Sequence, residues 1–350
     1  MCRGKKLTIA AVMAATAVLV VVIAAGCGSS VTTSTSSPTG SASSKQLSIA
    51  FFGAAKANSF ADAQFAGIES YASKHNATVM FFDGNFSAPT QIAQIQDATA
   101  SGKYQVFIVS ANDSTALVPA VTAAISKGIT VVAEFTMIGA TPTTYDTAQP
   151  QVPGMYFVGD VPTDNGKALA QLALEAAKTA GMSHPIIAYL QGMPSLPLDS
   201  ARTKAAVATL QAGGATVISS YVGGYTQAQG RSVGQDLFTA HPDVNVVIGS
   251  GQAIQGLETV IPAALKGKVQ LVGNGGSTQS VVGVQQGRWY ACYCSPTPLE
   301  GAMAAQVGLG AARGQTEPKS VTQVQLAKQN GFSVMGTKAA LGNYKSTYSD

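Results

Sequence analysis

Residues 47–83 read LSIAFFGAAKANSFADAQFAGIESYASKHNATVMFFD and hold one complete unit of the fold. The run 47–52 is apolar except for Ser48, is too short for a helix and stops at Gly53, as a strand buried on both faces should. From Phe60 to Lys74 the period changes, and Phe60, Ala63, Gly67, Ile68 and Tyr71 share one face at helical spacing. A second apolar run follows at 78–82. Strand, helix and strand in this order make the βαβ unit of a parallel sheet.

The unit repeats outward. Apolar runs at 104–109 and 129–133 alternate with helix-like segments at 90–101 and 115–127. Gly102 and Gly128 stand just past the two helices, where a left-handed residue ends a helix at least cost. The pattern then restarts, with strands at 155–159, 186–190, 216–221, 244–248, 269–272 and 289–294, the last containing Trp289 and leading out of the cycle. Helical stretches begin at Asp164, Ala201 and near Ala228, one ends near Leu265, and a short one covers 279–286. Two successive cycles predict an α/β protein of two lobes, each a doubly wound parallel sheet. Ligands bind such sheets beyond the carboxyl ends of the strands. If the lobes face one another, segments 53–60, 110–114, 134–136, 190–198, 221–225, 249–252, 273–277 and Ser295 line one cleft.

Ahead of the first strand the chain reads differently. Arg3, Lys5 and Lys6 precede an apolar stretch at 7–25, and Ala24-Ala25-Gly26 lead into Cys27. This is the architecture of a signal peptide covering 1–26, and the Ala-Ala-Gly-Cys ending resembles the lipobox of bacterial lipoproteins, with Ala24 where leucine is commoner. An uncleaved membrane anchor is the competing reading, because the apolar run nearly reaches spanning length. In a lipoprotein the Cys27 thiol carries a diacylglycerol and its amine is acylated, enough chains for stable anchoring. Residues 27–46, mostly Ser, Thr, Gly and Pro, then form a tether that cannot bury enough apolar surface to fold. The expected location is extracytoplasmic, on the cell membrane.

Composition excludes other classes. The formal charge of +4 falls to +1 once the three leader cations are set aside, leaving no basic cluster for nucleic acid. Three scattered histidines and no C-x-x-C argue against a metal site and no motif calls for a cofactor. Cys292 and Cys294, two apart in a strand, sit near the limit for an unstrained disulfide and read as small buried hydrophobes. Gly249-Ser250-Gly251 lacks the third glycine and the acid of a dinucleotide site. Asn76-Ala77-Thr78 and Asn85-Phe86-Ser87 match a glycosylation sequon, which carries little meaning in a bacterial lipoprotein. Without G-x-S-x-G or a placed base and nucleophile, the chain does not read as an enzyme.

Several landmarks, in order and spacing, give a family resemblance: Asn58-Ser59-Phe60, where the family has Asn-Pro-Phe-Phe; the run from Ser114 to Val121; Gly159-Asp160 through Gly166; Asp199-Ser200-Ala201-Arg202; and the run from Thr239 to Val244. The chain resembles the type I periplasmic binding proteins of the ribose and galactose branch, from about Leu47 to Gln325. The resemblance implies two lobes joined by a three-strand hinge, with crossovers near Asp160, at 294–296 and near Val324. The lobes would be 47–160 plus 296–323 and 161–295 plus 324–350. It further implies a monomer that captures a small polar, sugar-like ligand and delivers it to the permease subunits of an ABC importer. A sensory receptor serving a chemoreceptor or kinase, or a receptor for a non-sugar solute, is the alternative.

The resemblance also carries residues. Phe60 and Tyr225 match aromatic residues that stack on a sugar ring, Asn58 a hydrogen-bonding asparagine, and Arg202 or Lys204 a cationic donor. Asp113 matches an acid at a turn, where capping is the plainer role; turn formation is the equal alternative for Asn58, and a solvated helix charge is the alternative for Arg202 or Lys204. Three departures stand out: Ala133-Glu134-Phe135-Thr136 replaces the family's Asp-Arg, Ser250-Gly251-Gln252 replaces its Asn-Asp, and Gly275 beside Asn274 replaces an acid. Carboxylates are the strong acceptors for sugar hydroxyls, so the cleft is more neutral than the family's. Glu134, Phe135, Gln252, Asn274 and Ser295 are the remaining candidate contacts.

Overall fold

The computed structural model describes residues 45–141 and 143–350. The basic leader, Cys27 and the polar stretch to residue 44 lie outside the described residues.

Each apolar run becomes a strand because parallel pairing leaves it covered by helices on both faces. In β1 (Leu47–Gly53), Ile49, Ala50, Phe51 and Phe52 are all fully buried. Alternation sends Ala50 and Phe52 into one hydrophobic cluster and Ile49 and Phe51 into another on the opposite face. Phe51 meets Phe81 edge-on, and Phe52 stacks on Phe82, both at 5.0 Å between ring centres. Burying one such ring stabilises the fold by about 1.5–3 kcal/mol.

From β1 the chain continues through α1 (Ser59–Lys74), β2 (Ala77–Asp83), α2 (Ala88–Ser101), β3 (Val106–Val109), α3 (Val118–Ser126), β4 (Thr130–Phe135) and β5 (Tyr156–Gly159). The second cycle is α4 (Pro162–Thr179), β6 (Ile186–Tyr189), α5 (Pro197–Ala212), β7 (Thr216–Ile218), α6 (Gln227–Ala240), β8 (Val246–Ser250), α7 (Gly251–Glu258), β9 (Gln270–Gly275), α8 (Thr278–Gln285) and β10 (Ala291–Cys294). Then come α9 (Thr297–Ala312), β11 (Ser320–Thr322), α10 (Gln323–Gln329), β12 (Met335–Thr337) and α11 (Lys338–Leu341).

The strands form two six-stranded sheets, ordered β11-β5-β4-β3-β1-β2 and β12-β10-β9-β8-β6-β7. In both, the first strand of the cycle lies between the second and the third, the doubly wound order. The fold is α/β with two doubly wound, predominantly parallel sheets, as the alternation implies. The chain passes to the second sheet after β5, returns after β10 and passes over again after β11. One pairing departs from an all-parallel reading: β12 runs antiparallel to β10. The reason is local, since the Cys294 N–H donates to the Val334 carbonyl at 2.7 Å, so β12 starts at the carboxyl end of β10 and must run back along it.

Helices pair closely where a glycine lets backbones meet. A Cβ on Gly67 of α1 would lie 2.0 Å from the Pro298 carbonyl oxygen of α9, and one on Gly166 of α4 2.3 Å from that of Arg202 on α5. The second contact sets the depth of the helix that carries Arg202.

Cys292 and Cys294 are free and buried on one face of β10. Trp289 is buried in the same cluster, and its indole N–H donates to Glu258 Oε2 at 2.9 Å. It does not line the cleft. Gly67→Ala should lower the unfolding free energy by about 1–3 kcal/mol through overpacking against backbone that cannot yield. Urea denaturation checks this, and a midpoint equal to that of the parent would disprove the close α1–α9 packing.

Candidate functional site

The carboxyl ends of both sheets meet around one cleft, the place where doubly wound sheets bind small molecules. Its lining draws Asn58, Phe60, Phe135, Arg202, Tyr225, Gln252, Asn274 and Ser295 together from residues far apart in sequence.

On the first sheet's side, the Asn58 side-chain oxygen accepts from the N–H groups of Phe60 and Ala61, at 3.0 and 3.2 Å, and caps α1. The cap holds Phe60 at the first turn, facing the cleft. Phe135, at the end of β4, meets Phe60 edge-on at 4.9 Å and has φ of +64°. Phe86, also in the lining, has φ of +51°. A bulky residue in the left-handed region is strained, and such residues persist where the surroundings over-determine them, commonly at ligand sites.

On the second sheet's side, Arg202 of α5 is 4% exposed, and its Nη1 donates to Asp199 Oδ1 at 2.7 Å. The Tyr225 hydroxyl donates to the same oxygen at 2.5 Å, and the Met193 N–H donates to Asp199 Oδ2 at 2.7 Å. Burial works against the guanidinium charge, but Tyr225, Asp199, Tyr189 and Asp160 around it hold its pKa above the ordinary value. The Tyr225 ring lies parallel to Phe86 across the cleft, with centres 6.4 Å apart. Asn274 and Asn165 exchange amide hydrogen bonds at 3.1 and 3.3 Å, and Gln252 Nε2 donates to Ser59 Oγ at 3.1 Å from the opposite side.

Three candidates are placed elsewhere. Asp113 accepts from the N–H groups of Thr115 and Ala116, both at 2.9 Å, and does not line the cleft; it closes the turn ahead of α3, whose N-cap position is Leu117. Lys204 is exposed on α5 and also outside the lining. Glu134 is fully buried beneath the floor, where Oε2 accepts from Gln64 Nε2 at 2.6 Å, and it is Gln64 that reaches the cleft. Phe135, next in the strand, takes the cleft side.

Sequence reasoning missed Phe86, Gln64, Asp160 and Tyr348 as lining residues. Asp160 stood among the crossover landmarks. It closes the cleft at the hinge, accepting from the Tyr293 hydroxyl at 3.1 Å, and burial raises its pKa to about 6 against the pull of Arg202. Phe86 lay inside the sequon-like triplet, and its aromatic side chain just past a strand end was the available signal. Tyr348 gave none, because 343–350 has no periodicity.

The site therefore offers aromatic walls, amides and one buried guanidinium already paired with a carboxylate. That set suits a neutral, hydroxylated small molecule, with rings against its C–H surface and amides against its hydroxyls. Among the described residues no group of His, Cys, Asp and Glu is placed to hold a metal ion.

A family model described as periplasmic binding protein domain matches residues 49–316. The chain belongs to this family. Its members are solute-binding proteins of the extracytoplasmic space and not enzymes. No curated protein matches the chain. A periplasmic solute binding protein of Actinobacillus succinogenes, solved with D-allose, is similar in fold, with TM-score 0.71 and 21% identity over 85% of this chain and 100% of that one. A solute binding protein of Mycobacterium smegmatis, solved with glycerol, gives 0.69 and 22% over 87% and 99%. The Caulobacter myo-inositol binding protein, with myo-inositol bound, gives 0.68 and 20% over 80% and 92%. No described helix of this binding protein is long and apolar enough to cross a membrane.

Burial pushes the Glu134 pKa up to about 8, although hydrogen bonds from Gln64 and Ser110 favour the ionised form. A carboxyl that holds its proton more tightly when folded stabilises fully below its unfolded pKa, and that contribution is lost as pH rises through about 8. The urea midpoint should therefore fall as pH rises from about 5 to about 8.5. Glu134→Gln should flatten that fall, and parallel curves for parent and variant would show that the buried carboxyl does not hold this proton.

Proposed function

We propose that this binding protein captures a small polar solute, a sugar or sugar-like compound, in the cleft between its two sheets and delivers it to the permease subunits of an ABC importer. One observation carries the reading: aromatic residues face each other across the cleft, Phe86 against Tyr225 at 6.4 Å, beside an Arg202–Asp199 pair fixed at 2.7 Å. The solutes bound by proteins of similar fold support it: D-allose, D-fucose, myo-inositol and glycerol are all polyhydroxylated and uncharged. The halves 47–160 plus 296–323 and 161–295 plus 324–350 act as bodies that close over the solute about the three connections. The protein works as a monomer held at the membrane through acylated Cys27 and the tether 27–46.

The departures from the family's site shape the specificity. With Glu134 turned under the floor, Asp160 and the amides of Asn58, Gln252 and Asn274 are left to read hydroxyls. Such a cleft does not carry over ribose or galactose specificity directly.

A thermal-shift panel of D-allose, D-fucose, myo-inositol, glycerol, nucleosides and amino acids should show the largest rise in Tm with a sugar or cyclic polyol, since a ligand of the folded state alone stabilises it by mass action. Phe60→Ala and Tyr225→Ala should each weaken that ligand by about 1–3 kcal/mol, roughly five- to 150-fold in Kd by titration calorimetry. Parent-like affinity in both variants places the ligand elsewhere.

Anchoring has its own measurement. Expressed with its leader in a bacterium, the protein should partition into detergent and carry an acyl mass on Cys27, and Cys27→Ser should abolish both. An unacylated mature chain would overturn the anchor.

A further inference from the structure

Segment 343–350 follows α11 as irregular chain, yet it is held by more side-chain bonds than its position suggests. The Tyr348 carbonyl accepts from the Thr278 N–H and Oγ1, both at 2.8 Å, and Asp350 and Gln279 exchange bonds at 3.1 Å. These contacts seat the segment on the amino end of α8, on the second sheet's side of the cleft. Asp350 then spans the cleft with its two carboxylate oxygens. Oδ2 accepts from Gln255 Nε2 of α7 at 2.6 Å, and Oδ1 accepts from Ser59 Oγ of α1 at 3.0 Å, on the first sheet's side. Ser59 Oγ also accepts from Gln252 Nε2 at 3.1 Å, so one hydroxyl joins both halves twice. Two residues before Asp350, the Tyr348 ring forms part of the cleft wall and meets Phe60 edge-on at 6.4 Å.

We infer that segment 343–350 is a strap belonging to the solute site, in which Tyr348 is a specificity-determining wall and Asp350 ties the two sides of the cleft through Ser59. The inference rests on the reading of this cleft as the solute site. Its physical basis is twofold. Hydrogen bonds to an ionised carboxylate are about twice as strong as neutral ones, so the Asp350 tie favours the state in which the sides meet. A tyrosine beside Phe60 narrows the cleft and adds apolar surface, selecting a compact solute with an apolar edge. The strap's bonds lie mostly on the second sheet's side, so opening need break only the Ser59 bonds and leaves Tyr348 attached to that side.

Four proteins decide it: the parent, Tyr348→Ala, Asp350→Asn and Ser59→Ala. The first readout is amide hydrogen exchange of residues 59–64 in the absence of any added sugar. We expect Asp350→Asn and Ser59→Ala to raise exchange there at least fivefold, with Tm within a few degrees of the parent. The second is calorimetry with D-allose, D-fucose and myo-inositol. For whichever binds the parent, Tyr348→Ala should weaken Kd at least tenfold, while Asp350→Asn should speed dissociation. Unchanged exchange in both tie variants, or an unchanged Kd in Tyr348→Ala, overturns the strap while leaving the solute reading intact. If none of these three polyhydroxylated solutes binds the parent, the sugar-like reading fails, and the exchange result alone decides for or against the tie.

Discussion

Parallel strands cannot be joined by a tight turn, and this constraint organises the whole molecule. Every strand must be followed by a crossover, so all the strands of a cycle point the same way and end on the same edge of the sheet. With the chain crossing between sheets three times from that edge, the two edges are brought face to face. The cleft is thus a by-product of topology: whatever side chains follow the strands become its walls. Phe60 after β1, Phe135 at the end of β4, Tyr225 after β7 and Gln252 after β8 occupy it for this reason.

Burying polar groups near such a cleft costs stability unless each is paired, and the molecule handles its two kinds of charge differently. Arg202 stays charged, because Asp199 accepts from it and from Tyr225 while a backbone N–H satisfies the second carboxylate oxygen. Removing one partner of so buried a pair leaves the other exposed to the full desolvation penalty. The acids under the floor do the reverse. Glu134 and Glu300 are both fully buried, which raises the pKa of each, and the Glu134 carboxyl raises that of Glu300 further; Gln64 donates to the one and Gln323 to the other.

The aromatic walls show where local strain has been accepted. Phe86 and Phe135 both adopt positive φ, a conformation bulky residues avoid, and both present their rings to the cleft. In Phe135 the reversal falls on the last paired residue of β4, opposite Gly159, and its carbonyl accepts from the Asp160 N–H at 2.9 Å. Glu134, on the other side of the strand, does not line the cleft, which leaves Asp160 as the carboxylate in its wall.

The sequence by itself determined the strand–helix alternation, its restart and the segments that follow each strand, because period, run length and terminating glycines are local properties of the chain. Gln252 and Asn274 lie in those segments, whereas Phe60, Tyr225 and Arg202 were named through the family resemblance, which carries positions that local period alone does not. Which of the neighbours Glu134 and Phe135 would face the cleft could not be named, since alternation says only that they point opposite ways and the side is set by what packs beneath. Phe86 needed the opposite wall to reveal a purpose, and the Ser59–Asp350 bond joins residues 291 positions apart. No local signal spans such a distance: only the packing of two sheets edge to edge decides that a tyrosine and an aspartate from an aperiodic segment complete the cleft begun by the first helix.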